Sequence, residues 1–152
     1  EHALRLALED VASDYSYVIF DCSPSLGVLT INALTAADEV LIPLQCETLS
    51  HRGVGQLLDT VRDVQRLTNP RLRVLGVLPT LFDARTTHAR EVVADIGERY
   101  DLPVLSPPIA KSVRFAEAPA SGRSVLATSR KTKGADSYRE LARQLVASEE
   151  GN

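Results

Sequence analysis

Residues 17–27 read YVIFDCSPSLG, an apolar run that stops on an acid and turns at once. Tyr17 to Phe20 have the composition of a strand covered on both faces. An aspartate at the end of such a run must be solvated, paired or close to a metal. Burying it alone would cost several kcal/mol or shift its pKa. Pro24 and Gly27 make the turn that follows tight.

Outward from this stretch, apolar runs alternate with helical patterns. Strands are expected at 16–21 (SYVIFD), 38–44 (DEVLIPL), 72–79 (LRVLGVLP) and 103–106 (PVLS). Between them, residues 49–68 place Val54, Leu57, Val61, Val64 and Leu67 on one helical face. Residues 87–100 do the same for Ala89, Val92, Val93, Ile96 and Tyr100, and residues 134–150 for Tyr138, Leu141, Leu145 and Val146. EHALRLALEDVA, at the start of the chain, has helical spacing at Leu4, Leu8 and Val11. Asn69-Pro70 and Asp101-Leu102-Pro103 punctuate helix ends, because proline cannot continue a helix. Strand and helix in alternation predict βαβ units: an α/β fold, a doubly wound, mostly parallel sheet with helices on both faces, in one domain over residues 1–152. Residues 106–134 are rich in Pro, Ala, Ser and basic side chains and show weak periodicity, which marks them as a functional or disordered connection.

In open α/β sheets ligands bind beyond the carboxyl ends of the strands. That rule selects the loops DCSPSLG, QCETLS, TLFDARTTH and PPIAKSVRFAEAP. Asp21 is the sharpest residue among them. A hydrophobic strand ending in Asp is the physical form of a Walker B element, whose acid holds Mg²⁺ directly or through water beside nucleotide phosphates; the same pattern also caps a following helix. No G-x-x-x-x-G-K-[ST] phosphate loop occurs in the 152 residues, so a Walker B acid here is half a site. Gly53-Val54-Gly55 imitates half a dinucleotide fingerprint but lies inside a helical pattern. Ser23 and Ser25 lack the G-x-S-x-G setting of a hydrolase nucleophile.

Bulk properties set limits. Apolar residues make up 44% and charged residues 24%, ordinary for a globular protein. No apolar run approaches the roughly 18 residues of a membrane span, and no signal-peptide pattern opens the chain. Cys22 and Cys46 form no CxxC pair and read as free thiols; His2, His51 and His88 are scattered and suggest no zinc site. The net charge of −3 hides an uneven distribution. Residues 1–50 hold eight acids against one Arg, whereas residues 111–133 set Lys111, Arg114, Arg123, Arg130, Lys131 and Lys133 against Glu117 alone. Such a strip is either a solvated face or an electrostatic footprint for phosphates.

Four collinear blocks give a more specific reading. They are YSYVIFDCSPSLGVLTINALTAADEVLIPLQCE (15–47), GVLPTLFDARTTHAREVV (76–93), VRFAEAPASGRSV (113–125) and KGADSYRELARQL (133–145). Together they resemble the ParA/Soj family of chromosome- and plasmid-partitioning ATPases, relatives of MinD. The resemblance covers nearly the whole chain and implies a P-loop NTPase fold, ATP and Mg²⁺ as cofactors, and a phosphate loop upstream of the first residue. This chain would then correspond to the C-terminal part of such a protein, lacking the strand that carries the phosphate loop between strands 16–21 and 38–44, and would be inactive as an ATPase by itself.

By the same resemblance, Asp21 is the Walker B acid, linked to Mg²⁺ through water, and Pro24 the switch-loop proline, although the family's Pro-Pro reads Ser23-Pro24 here. Thr80 and Leu81 begin the segment that contacts adenine. Ala110 and Lys111 stand in a stretch that lines the base, but the family's Pro-Arg-Asn reads Ala110-Lys111-Ser112. Arg85 and Arg114, with Lys111, correspond to residues that bind DNA without sequence preference. Arginine on phosphates accounts for that physically, since counterion release carries no base information. The implied partners are ATP, non-specific DNA, a ParB-type centromere-binding protein and a second copy in a homodimer, in the cytoplasm on the nucleoid. MinD-like chains end in a basic amphipathic helix that lies on a membrane; this chain ends ARQLVASEEGN, acidic and without bulky apolar anchors, so no membrane is expected. A non-enzymatic chain that only dimerises or binds partners is the other alternative.

Overall fold

The computed structural model describes residues 1–23, 25–46 and 51–150, without the side chains of His51 and residues 148–150. The elements run α1 (Ala3–Leu8), α2 (Val28–Ala36), β1 (Glu39–Gln45), α3 (His51–Leu67), β2 (Arg73–Thr80), α4 (Thr87–Tyr100), α5 (Arg114–Ala120), α6 (Val125–Thr128) and α7 (Lys133–Glu150), with a 3₁₀ turn at Ala12–Asp14. The chain forms two compact units, Glu1–Leu41 with His51–Leu75, and Ile42–Ser50 with Gly76–Asn152. β1 and β2 pair in a two-stranded sheet. The Arg73 amide donates to Asp38 O at 2.9 Å and the Cys46 amide to Thr80 O at 3.5 Å, start to start and end to end, so the pair is parallel.

In the first unit the core is Leu34, Val61, Val64 and Leu72, with Ile31, Ala37, Val40, Leu57 and Val74 packed against it. α3 buries Val54, Leu58, Val61 and Val64, the i, i+4, i+7 stripe of a helix with one apolar face. Leu67, expected on that face, is 70% exposed; six residues beyond Val61 it has turned about 120° away from the stripe.

Asn69 ties this unit together. Its side chain is buried, and Nδ2 donates to Leu34 O at 3.0 Å and Ala37 O at 2.7 Å. Those are carbonyls at the end of α2, which no further helical turn can satisfy. Asn69→Ala is expected to lower unfolding free energy by about 2–4 kcal/mol, because it leaves two acceptors inside without a donor. Urea unfolding measures this, and a loss below about 0.5 kcal/mol would mean that water replaces the amide.

The segment expected as strand 16–21 forms no strand. Ile19 is 90% exposed, and Tyr17 and Val18 are nearly half exposed. The continuous apolar run is the mark of a strand covered on both faces, but a strand exists only where neighbours complete its ladder and cover those faces. Strand 103–106 is also corrected. In the second unit this stretch follows β2 in parallel but in two pieces. The Val77 amide donates to Pro103 O and the Leu105 amide to Val77 O, both at 2.8 Å; after a break, the Ile109 amide donates to Pro79 O at 2.8 Å. Pro107 and Pro108 have no amide hydrogen to continue the ladder, so only isolated parallel bridges remain, Val77 to Val104 and Phe82 to Ala110. Gly76, at φ +138°, lies so close to the Pro103 carbonyl that no side chain fits between them.

Residues 106–134, expected to be irregular, contain α5 and α6. The α5 turn is anchored by Phe115, which stacks edge-on against Tyr138 of α7 with ring centroids 5.8 Å apart. Its ring also lies over Gly134, which a methyl group would push aside. Among the described residues no helix is long and apolar enough to cross a membrane.

Candidate functional site

The carboxyl end of β2 and the stretch beside it form the best-defined constellation, all within the second unit. The Phe82 amide donates to Ile109 O at 3.0 Å and the Lys111 amide to Phe82 O at 3.1 Å. This parallel pairing sets Thr80 and Leu81 next to Ala110 and Lys111, four residues that sequence reading assigned to one nucleotide-binding role. Thr80, Leu81 and Ala110 are half-buried, and Lys111 is exposed. Leu81 has φ +48°, a left-handed backbone that costs a side-chain-bearing residue roughly 1–2 kcal/mol. The backbone bonds of Phe82 on the following residue hold it there. Strain of this kind concentrates at ligand clamps and turns.

Three residues further on, the chain folds on itself. Asp83 accepts from Arg85 Nε at 2.9 Å and Nη2 at 2.8 Å, and from the Arg85 amide at 3.0 Å. The Thr86 amide and hydroxyl both donate to Asp83 O, at 3.0 and 2.9 Å, and Thr86 caps α4 by accepting from the Ala89 amide. The Arg85 guanidinium and amide hydrogen bonds, helped by the charge of Lys111, hold the Asp83 carboxyl down to about 2, and the carboxylate in turn pushes Arg85 up. Because the folded value is depressed, the pair's contribution to stability is fully present above 3.8 and is lost as pH falls through about 2. Asp83 was not singled out in the sequence. The available signal was an acid two residues before an Arg at a strand end, the spacing of an Asx turn.

Arg114 opens α5. Its amide donates to Ser112 Oγ at 3.3 Å and its guanidinium meets Glu117 at 2.9 Å, both side chains being more than half exposed. Arg123, Arg130, Lys131 and Lys133 are exposed as well.

Asp21 belongs to the first unit. It is exposed, on a segment without regular structure, followed by exposed Cys22 and a 2.8 Å hydrogen bond between the Ser23 and Ser25 hydroxyls. Pro24 lies outside the described residues. Among the described residues no group of three or more His, Cys, Asp or Glu side chains could hold a metal by themselves. A magnesium ion needs only one or two carboxylates when phosphates and water supply the rest, so Asp21 has suitable donor chemistry.

Comparison with known proteins extends this geometry. A family model described as an AAA domain matches residues 1–74. The sporulation initiation inhibitor protein Soj of Bacillus subtilis is 44% identical over 97% of this chain and 58% of its own length. The chromosome partitioning protein ParA of Myxococcus xanthus is 42% identical over 96% of this chain and 52% of its own length. A crystal structure named cobyrinic acid a,c-diamide synthase from Mycobacterium smegmatis, with ADP and magnesium bound, is 51% identical with a TM-score of 0.82, over 99% of this chain and 55% of that one. The chain therefore spans about half the length of the proteins it matches, and its fold is the α/β parallel-sheet class of P-loop nucleotide-binding proteins. Over almost all of its residues the chain is thus similar to Soj and ParA, at identities above 40%.

Proposed function

We propose that this chain is the partner- and DNA-facing part of an ATP-dependent partitioning switch. ATP and Mg²⁺ bind, two copies associate, the dimer coats DNA without sequence preference on the nucleoid, and a ParB-type protein stimulates hydrolysis and release. The observation that supports this most is the Phe82–Ala110 pairing, which gathers Thr80, Leu81, Ala110 and Lys111 at one strand end, with Arg85 following β2 and Arg114 following Lys111. In this reading Thr80, Leu81 and Ala110 meet the base, and Asp21, followed by the switch-loop Pro24, holds Mg²⁺. The ion supplies charge neutralisation at the transferred phosphoryl group. A Gly-rich phosphate loop is needed from sequence outside these 152 residues, since they contain none.

Arg114→Glu tests the DNA side. It is expected to weaken binding to a random-sequence duplex about tenfold near 0.1 M salt and to flatten the plot of log affinity against log salt by about one unit, because one phosphate contact is lost. ATP-analogue affinity should not change. Unaltered DNA affinity at every salt concentration would reduce the basic residues to a solvated face.

A second reading follows from the crystal structure named as a cobyrinic acid a,c-diamide synthase, whose identity of 51% exceeds that of Soj and ParA. It would make the chain part of an enzyme that uses ATP to convert carboxylates to amides. Turnover stimulated by cobyrinic acid with an amine donor, and indifferent to DNA, would favour it.

A further inference from the structure

We infer that Asp83 is a charge brake on DNA binding: it holds Arg85 in a neutral pair, so that the guanidinium reaches the surface without presenting its charge to a phosphate. This rests on the reading of Arg85 as a DNA contact and adds the control of that contact. The Arg85 side chain is 89% exposed. Arginines that exposed ordinarily sample many rotamers, and their ion pairs are weak and easily screened. Arg85 is instead held along one whole edge of its guanidinium, Nε on one carboxylate oxygen and Nη2 on the other, while its own amide binds the same carboxylate. The carboxylate is only 26% exposed and its residue is fixed by two bonds from Thr86. The Arg114–Glu117 pair differs, with one 2.9 Å contact between side chains both nearly 60% exposed.

The consequence is electrostatic. Affinity for a nucleic-acid backbone follows the number of phosphates neutralised. Asp83, Arg85 and Lys111 together present one net positive charge instead of two. The two-residue spacing of Asp83 and Arg85 makes this possible, since it lets one carboxylate bond both the backbone and the side chain of the same arginine.

The test compares wild type with Asp83→Asn, Arg85→Ala and the double variant, by fluorescence anisotropy on a random-sequence duplex across a salt series. Asp83→Asn keeps an oxygen for the Arg85 amide but removes the charge. It should bind 3- to 10-fold tighter near 0.1 M salt, with a slope steeper by about 0.9. The gain over wild type should vanish in the double variant, which has no guanidinium to meet a phosphate. Asp83→Ser, which can also accept from the amide, should move in the same direction if the Asn variant folds poorly. Unchanged or weaker binding by Asp83→Asn, while Arg85→Ala does weaken binding, would overturn the brake alone. A gain that persists without Arg85 would also overturn it. If removing Arg85 from the Asp83→Asn protein leaves its affinity and slope unchanged, the reading of Arg85 as a DNA contact fails and the brake with it.

Discussion

Gly76→Ala is expected to cost roughly 2–6 kcal/mol of stability, enough for a clear shift of the unfolding midpoint. Two penalties combine. A φ of +138° is one that a side-chain-bearing residue adopts only under strain, about 1–3 kcal/mol. An added Cβ would also collide with the Pro103 carbonyl oxygen and lie 3.1 Å from both the Pro103 carbonyl carbon and Cβ, overpacking worth about another 1–3 kcal/mol. The clash cannot be relieved by a rotamer change, because its partner is backbone. Nor can the backbone withdraw cheaply, since Pro103 O accepts from the Val77 amide and Val77 O from the Leu105 amide. Against a typical total of about 5–15 kcal/mol, such a loss is a large fraction. Denaturant unfolding gives the answer directly. A cost under 1 kcal/mol would mean that residues 103–105 do not run beside β2 as described. The same change should also disturb the Phe82–Ala110 pairing, which lies further along the same two segments.

The parts of this fold that were legible in the sequence carry local signals. Residues 87–100 were read as a helix and α4 has those bounds. Its apolar face repeats every three to four residues, and Asp101-Leu102-Pro103 ends it. β1 and β2 fall within one residue of the runs 38–44 and 72–79. What failed depends on partners distant in the sequence. Residues 16–21 have the composition of a covered strand, but composition does not supply the neighbouring strand. Residues 103–106 were read as a strand, yet Pro107 and Pro108 limit them to a short pairing. α5 was hidden by Pro119 and by its length of seven residues. α2 shows no one-sided apolar pattern and buries Thr30 and Thr35 beside Ala33 and Leu34, so periodicity could not single it out.

The candidate site divides along the same line. That Thr80 and Leu81 stand beside Ala110 and Lys111 could not be read from spacing, because thirty residues separate the pairs. Resemblance suggested a shared role, and the parallel pairing supplies the physical adjacency. The Asp83–Arg85 clamp was legible in principle, since it needs only two residues of spacing and a turn. The resemblance marks the arginine as a phosphate ligand and says nothing of the acid that holds it.

Asp21→Ala is the substitution with the largest expected effect on chemistry. In a polypeptide that joins these residues to a Gly-rich phosphate loop, we expect Mg²⁺-dependent ATP turnover to fall at least 100-fold, about 2.7 kcal/mol of transition-state stabilisation. The phosphoryl group in flight carries its charge on oxygens that the ion neutralises, so an ion displaced by even a fraction of its coordination sphere loses most of its effect. Folding should be spared, because Asp21 is exposed and outside any helix or strand, and surface changes of that kind usually alter stability by less than about 0.5 kcal/mol. The control is a fluorescent ATP analogue titrated with and without Mg²⁺ into both proteins. Wild type should bind more tightly with the ion and the variant should lose that difference while keeping its Mg²⁺-independent affinity, which the proposed function assigns to Thr80, Leu81 and Ala110. Undiminished turnover in the variant would remove Asp21 from the metal site and leave it an exposed acid, since the N-cap of α2 is Gly27 and no side chain caps it. Micromolar, Mg²⁺-dependent binding by the 152 residues alone would show instead that the phosphates are held without a Gly-rich loop, and the search for their ligands would turn to the hydroxyls of Ser23 and Ser25.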